Sequence, residues 1–356
     1  MTTQYSDYME KIKIAIAYYP NKVMHSTNWK NAWVDYCVEN KIDYELVDCY
    51  KSDIIEQLKN FSHLLWHFGN YEFQDMLFAR SILYSAKKMG LKIFPDYPDA
   101  WHFDDKIAET YLLQSINAPI PNSTIIYRFK DCVTMVKKNE INFPVVAKLR
   151  GGSGSHNVKM LRSKSELLRY AKKMFKSGLN PSPSLLYKAS SNAKSSKNRD
   201  TFIKRLKRAP EFLRTLNSAK KFPNEKEYVF LQEFIPNNGY DLKIVVVGDK
   251  LSFIGRNIRK GEFRASGGGA LFYDKDYVTK SIIDSAFRVS DSSGFQCMGY
   301  DYVVNKETGE GLIIEISYGF SHEAVLAAGG YFDRDGNWYE EPLNAPQELL
   351  INLLNK

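Results

Sequence analysis

The sequence predicts an α/β protein, α+β over its whole length: a parallel sheet wound with helices, then a strand-rich antiparallel lobe. Three observations carry this. Over the first hundred residues, short β-rich runs alternate with amphipathic helical ones. After Glu227, strands follow one another across Asn237-Asn238-Gly239 and Gly248-Asp249 turns. Between the two halves, an apolar strand ends on Lys148 and runs into the glycine-rich stretch from Gly151 to Gly154.

In the first lobe the expected strands are 12–18, 43–47, 62–68 and 91–94, separated by helices over 29–40, 54–59 and 74–89. Ligands of wound sheets sit beyond the carboxyl ends of the strands, which places Tyr18, Tyr19, His67, Gly69 and Asn70 among acceptor-site candidates. For His67 a hydrogen-bonded structural role competes with a catalytic one. The Pro-rich passage from Phe94 to His102 ends this lobe. A helix is expected over 104–116, a strand over 123–126, a helix over 131–138, and a hairpin of strands around the glycine loop, the second strand over 157–161. Residues 177–223 interrupt the pattern with a basic segment that is first Ser/Asn/Lys-rich, then helical in spacing around Pro210. Later strands are expected over 228–235, 241–247, 251–258, 298–305 and 311–317, with helices near 282–289 and 347–355. The domain expectation is 1–102 for the wound lobe, 103–176 for a central subdomain, 177–223 for a basic helical insert and 224–356 for a C-terminal subdomain.

The 356 residues are enough for two or three lobes, and 44% hydrophobic with 25% charged residues is the balance of a globular protein. No apolar run reaches the roughly 20 residues that span a bilayer, and the first residues lack a signal peptide's basic and apolar regions, so a cytoplasmic location is expected. Cys37, Cys49, Cys132 and Cys297 have neither metal-site nor paired spacing, which argues against a zinc site or a disulfide scaffold. The formal charge of +8 favours anionic partners. The basic segment carries few aromatics for stacking on bases, so nucleic acid is disfavoured; peripheral contact with an acidic or lipid-linked substrate stays open, as does a merely solvated surface.

Chemistry concentrates in three places. The Lys148 loop is a phosphate device: small residues Gly152, Ser153 and Gly154 let backbone N–H groups converge on an anion while Lys148 supplies a point charge. It is not a Walker loop, because the lysine precedes the glycines and a strand follows. In the last hairpin, a turn over 306–310 that sets Asn305 opposite Gly311 places Asp301 opposite Glu315, with Ser317 on the same face and Leu312, Ile314 and Ile316 on the core face. Facing carboxylates repel unless a cation lies between them, and Mg²⁺ takes one or two carboxylates with phosphate oxygens; a solvent-facing acidic hairpin is the competing reading. Finally, Arg256 and Arg264, with Arg259 and Lys260, flank a second glycine segment and suit phosphoryl or carboxylate oxygens.

These motifs, with Asp105-Lys106, Leu231 to Pro236, Gly239 to Lys243, Gly261 to Arg264, Gly299 to Asp301 and Ile314 to Ser317, stand in the order seen in ATP-grasp enzymes, and the chain most resembles RimK-like carboxylate–amine ligases over roughly residues 103–325, apart from the basic insert. The resemblance implies an ATP-grasp fold with an N-terminal Rossmann-like domain. It implies Lys106 and Lys148 on the phosphates of ATP, Gln232, Glu233, Phe234 and Ile235 as the hinge against adenine, and Asp241 on the ribose. Arg256 and Arg264 would lie beside the transferred phosphate, and Asp301, Glu315 and Ser317 on Mg²⁺ or Mn²⁺. The implied reaction activates a carboxylate as an acyl phosphate, which an amine then attacks. Two departures stand out: Ser317 replaces an Asn of the metal strand, and Ala265-Ser266 replace the usual Ser-Asn after the arginine. The tail, with Tyr318, Phe320, Gly329-Gly330-Tyr331 and Trp338, is similar to ATP-grasp proteins of surface-polysaccharide synthesis, which implies a hexuronic acid, sugar- or lipid-linked, as one substrate. A regulatory nucleotide-binding protein without turnover, and an amino-acid or peptide ligase of the glutamate-adding type, are the alternatives.

Overall fold

The computed structural model describes residues 12–20, 28–70, 72–152, 158–181, 222–258, 263 and 270–355. The first lobe is a parallel sheet in the order β2-β1-β3-β4, made of β1 (Lys13–Ala17), β2 (Asp43–Val47), β3 (His63–Leu65) and β4 (Lys92–Phe94). The helices α1 (Lys30–Glu39), α2 (Ile54–Leu58) and α3 (Phe73–Lys88) connect its strands. A short α4 (Tyr97–Ala100) follows, started by Asp96, whose carboxylate accepts from Tyr97 N, and by Pro98 in its first turn.

The helix α5 (Lys106–Ser115) begins where Asp105 Oδ1 accepts from the N–H groups of Ile107 and Ala108 at 3.2 and 3.0 Å. Such a cap stabilises a helix start by about 1 kcal/mol. It also fixes the phase: Lys106, Glu109, Thr110 and Leu113 share the buried face.

A second, antiparallel sheet runs β5-β8-β6-β7, from β5 (Ser123–Ile126), β6 (Val145–Lys148), β7 (Val158–Leu161) and β8 (Val229–Glu233). Two helices, α6 (Phe129–Lys137) and α7 (Lys164–Met174), pack on it, and Leu167, Ala171 and Met174 of α7 are fully buried there. The helix α7 is absent from the sequence expectation, although its start is written in the chain. Ser163 Oγ accepts from Glu166 N, and Glu166 reaches back to accept from Arg162 N, one residue before the cap, a close variant of the capping box. Most of the basic insert, residues 182–221, lies outside the described residues.

The third sheet holds β13-β12-β9-β10-β14-β15, with β11 also on β10. Its strands are β9 (Tyr240–Val247), β10 (Lys250–Asn257), β11 (Leu271–Phe272), β12 (Cys297–Val304), β13 (Gly311–Ser317), β14 (Tyr331–Phe332) and β15 (Trp338–Tyr339). On one face, Leu242, Ile244, Val246, Met298, Tyr300 and Tyr302 pack with Ile282, Ala286 and Val289 of α8 (Lys280–Ser293). The opposite face is apolar at one end, where Val245, Val247 and Cys297 meet the first lobe, and charged at the other. Two helices close the chain, α9 (His322–Leu326) and α10 (Ala345–Leu354).

The last hairpin corrects the expected register while keeping its outcome. Gly311 faces Val304 rather than Asn305, and Leu312 and Ile313 face Val303 and Tyr302. One extra residue on β13, Ile314, then shifts the ladder, so that Asp301 faces Glu315 and Gly299 faces Ser317. The bulge also breaks strict alternation. Ile313 and Ile316 both enter the core with Tyr300 and Tyr302, whereas Leu312 and Ile314, expected on the core face, pack with Ile235 and Val303 on the charged side.

Candidate functional site

A cleft opens between the second and third sheets, and most of the expected site residues line it. From α5 and β6 come Lys106 and Lys148, with Gly152 beyond the strand; from the end of β8 come Gln232, Glu233, Phe234 and Ile235; from β9 and β13 come Asp241 and Glu315. Apolar wall is supplied by Val146, Ile258, Val303 and Ile314. Ser153, Gly154 and Arg264 lie outside the described residues.

The two lysines meet the metal-type strand directly. Lys106, only 4% exposed, places Nζ 3.2 Å from Glu315 Oε1 and donates to Gly152 O at 2.8 Å. Burial opposes its charge, but Glu315, Asp104 and Glu109 outweigh that and hold its pKa above the ordinary lysine value. Lys148 donates to Ile314 O, at the bulge, at 2.9 Å. Its balance falls the other way: burial and the neighbouring Lys106 lower its pKa to about 8, despite Glu315. Gly152 is clamped twice, since its N–H donates to Asp104 Oδ1 at 3.0 Å while its carbonyl receives Lys106. With φ at +100° the position needs glycine.

Asp301 is held by cations of the chain itself. Lys243, its direct neighbour across the β9–β12 ladder, sits 2.5 Å from Oδ1, and Arg256 lies 3.1 Å from Oδ2. Burial raises the Asp301 pKa, yet Arg256 and Lys243 overcome it and bring it down to about 2. Repulsion between Asp301 and Glu315 is therefore relieved by Lys243, Arg256 and Lys106, and does not by itself demand a metal ion. Among the described residues no group of three or more His, Cys, Asp and Glu converges. Of the two carboxylates only Glu315 lines the cleft, facing the lysine pair; it fits a cation that takes most of its ligands from phosphate oxygens and water, and Asp301 joins such a set only by giving up Lys243 or Arg256. Ser317 contributes little to such a set: its Oγ accepts from Gly319 N at 3.0 Å and so turns to the backbone.

Arg256 and Asp241 form the other unit. The guanidinium donates from Nε and Nη2 to both Asp241 oxygens, at 2.6 and 2.7 Å. Asp241 is 1% exposed, so a ribose hydroxyl would have to displace a bidentate ion pair to reach it. At the hinge, Gln232 Nε2 donates to Ser123 Oγ and Glu233 Oε2 accepts from Asn122 Nδ2, which ties β8 to the start of β5 and the residue before it.

Three residues of this network carry no role from sequence reasoning. Lys243 follows Asp241 by two positions on one strand and so shares its face; Glu109 follows Lys106 by one helical turn; Asp104 precedes the cap. In the first lobe, His67 is buried and stacked on Trp29 at 4.6 Å, in keeping with its structural reading. Asn70 Nδ2 reaches Asp104 Oδ1 at 2.9 Å, linking the first lobe to the glycine loop.

No protein-family model and no curated protein matches the sequence. Solved structures do. The RimK-domain ATP-grasp protein from Sphaerobacter thermophilus DSM 20745 is similar with a TM-score of 0.52 and 13% identity, covering 96% of this chain and 99% of that one. D-Alanine–D-alanine ligase from Bacillus anthracis, solved with ATP, gives a TM-score of 0.58 at 12% identity, with 97% of each chain covered. The chain has the ATP-grasp fold. D-Cycloserine synthetase shares it, with a TM-score of 0.55, 11% identity and coverage of 96% of this chain and 99% of that one. At these identities the likeness concerns the ATP-grasp fold, and its coverage runs through the first lobe as well as the two sheets of the cleft. No helix among the described residues is long and apolar enough to cross a membrane.

Proposed function

We propose that the protein is an ATP- and Mg²⁺-dependent carboxylate–amine ligase. One observation carries the reading: Lys106 and Lys148 converge on the strand that bears Glu315, opposite Asp301, in a cleft that also has an apolar wall of Val146, Ile258, Val303 and Ile314 and polar Gln232, Glu233 and Asp241. The fold, shared with a ligase solved with ATP, supports it.

In this reading ATP lies with its base toward Phe234 and Ile235 and its phosphates toward the lysines. Glu315, with Asp301 beside it, would hold a divalent ion, which would supply charge neutralisation to the triphosphate. Lys148 and Lys106 place positive charge at the phosphates, and Gly152, held in one geometry by Asp104 and Lys106, sets the direction in which the glycine loop leaves β6. Arg256 is fixed by Asp241 and Asp301 before any ligand arrives, so its charge needs no reorganisation as negative charge grows in the transition state. A substrate carboxylate oxygen attacks the γ-phosphorus, forming an acyl phosphate and releasing ADP. The amine then attacks the acyl carbon, inorganic phosphate leaves, and the nitrogen loses a proton to give the amide. The apolar part of the lining, Val146, Ile258, Val303 and Ile314, would limit the water that hydrolyses the mixed anhydride.

A hexuronic acid is one substrate class in this scheme, with less support than the reaction type. Tyr318 and Phe320, part of the tail that pointed to it, are buried in the core; Tyr318 OH donates to Phe68 O at 3.0 Å, so packing accounts for them. The test is an ADP-release screen of uronic acids, small peptides and amino acids against amines, with product masses. Amide product with stoichiometric ADP supports the proposal. Nucleotide binding without ADP from any pair, unaffected by replacing Arg256, would favour a regulatory protein instead.

A further inference from the structure

We infer that Glu109 is a positioning residue that holds the Glu315 strand in its bulged register, an assignment that rests on the function proposed above. Without the bulge, the register of Val304 with Gly311 would continue, and Glu315 would face Tyr300 instead of Asp301. Its carboxylate would then share the face of Tyr300 and Tyr302, which is the hydrophobic core. The pairing of Asp301 with Glu315 therefore depends on one inserted residue staying inserted.

The strand β13 is at the edge of its sheet, so its outward backbone groups need partners from elsewhere, and the bulge decides which of them point outward. Three contacts from outside the hairpin supply them. Ile313 N donates to Pro119 O at 2.7 Å, Ile314 O accepts from Lys148 Nζ at 2.9 Å, and Ile316 N donates to Glu109 Oε2 at 3.3 Å. Ile316 is 1% exposed and Glu109 3%, so water is not at hand to replace the carboxylate. Pro119 acts through its backbone, and Lys148 also faces the phosphate site. Glu109 acts through the Ile316 amide and also lends negative charge to Lys106, a second effect that Glu109→Gln separates because it keeps the acceptor and removes the charge. Its place one turn after Lys106 lets a single helix set both the ammonium at Glu315 and the backbone that aims Glu315.

The test compares Glu109→Leu, similar in volume but without an acceptor, with Glu109→Gln, which keeps a side-chain carbonyl. Hydrogen exchange of the peptide containing the Ile316 amide is measured in nucleotide-free protein. The Mg²⁺ concentration for half-maximal ADP release is measured beside the affinity for a non-hydrolysable ATP analogue. Loss of a buried amide's partner corresponds to a change on the order of tenfold. Glu109→Leu is expected to speed Ile316 exchange and raise the Mg²⁺ requirement by that factor, with analogue affinity altered less than about threefold, and Glu109→Gln to restore both. Wild-type exchange in Glu109→Leu, or equal failure of Glu109→Gln, overturns the assignment. If the wild-type protein releases no ADP, the proposed function falls, and the exchange comparison alone still decides the role of Glu109. Should Glu109→Leu not fold, Glu109→Thr, too short to reach Ile316, takes its place with the same expectations.

Discussion

In the proposed ligase, Lys148 should make nucleotide binding depend on pH, with a sign set by its burial and a size that follows from its pKa of about 8. Its ammonium is 5% exposed, and burial with Lys106 beside it lowers its pKa to about 8. A bound triphosphate favours the charged form and restores the proton. The binding-competent state is thus full well below pH 8 and drains away as pH rises through that value. With one proton at stake, apparent affinity should fall about tenfold between pH 7 and pH 9, worth about 1.4 kcal/mol. At pH 9 about nine-tenths of a proton should be taken up on binding if the bound pKa returns to its ordinary value near 10.5. The contribution to folding runs the opposite way: the unfolded chain holds the extra proton between about pH 8 and 10.5, so stability of the free protein gains with pH across that window. Calorimetric titration with ADP and Mg²⁺ at pH 7 and 9, in buffers of different ionisation heat, reads both affinity and proton uptake. Lys148→Arg stays charged throughout and should flatten the profile and abolish the uptake. An unchanged slope in Lys148→Arg, or no uptake at pH 9 in the wild type, would refute the reasoning.

Other outcomes follow from the same network. Asp301→Ala and Glu315→Ala should each lower turnover more than they weaken ATP affinity, read as a split between kcat and the analogue's Kd; unchanged rates in both would remove the proposed metal site. Lys243→Met leaves buried Asp301 with Arg256 alone, and urea unfolding should show a loss of about 3 kcal/mol, since breaking a buried ion pair strands a charge. Arg256→Lys cannot reproduce the two parallel bonds to Asp241; ADP release should fall about a hundredfold with little change in ATP affinity.

Periodicity made the fold legible, because buried faces repeat every second residue in strands and every three to four in helices. The hairpin shows how far such reading goes. The expected turn was one residue off, and the inserted Ile314 compensated, so Asp301 met Glu315 through two departures that cancel. Which strands become neighbours was not written locally: Lys243 reaches Asp301 only because β9 lies beside β12, across an intervening excursion of the chain. Glu109 was equally hidden, its partner being a backbone amide 207 positions away. Asp241 illustrates the limit of carrying roles over by position. The motif is present, but both oxygens belong to Arg256.

Asp99 receives the Gln296 and Cys297 amides on its buried carboxylate, and Trp29, Phe94, Val245, Cys297, Tyr318 and Leu349 belong to a single apolar interior. Prying the N-terminal sheet from the large C-terminal one would bare several such side chains at about 1.5–3 kcal/mol each. The small sheet has an interior of its own around Leu167, Met174 and Phe230 and, among the described residues, meets the large sheet through polar contacts such as Lys148 Nζ to Ile314 O. Separation of the small sheet would thus bare less shared apolar surface than separation of the other two, so in the proposed ligase that sheet is the one expected to move when a nucleotide enters.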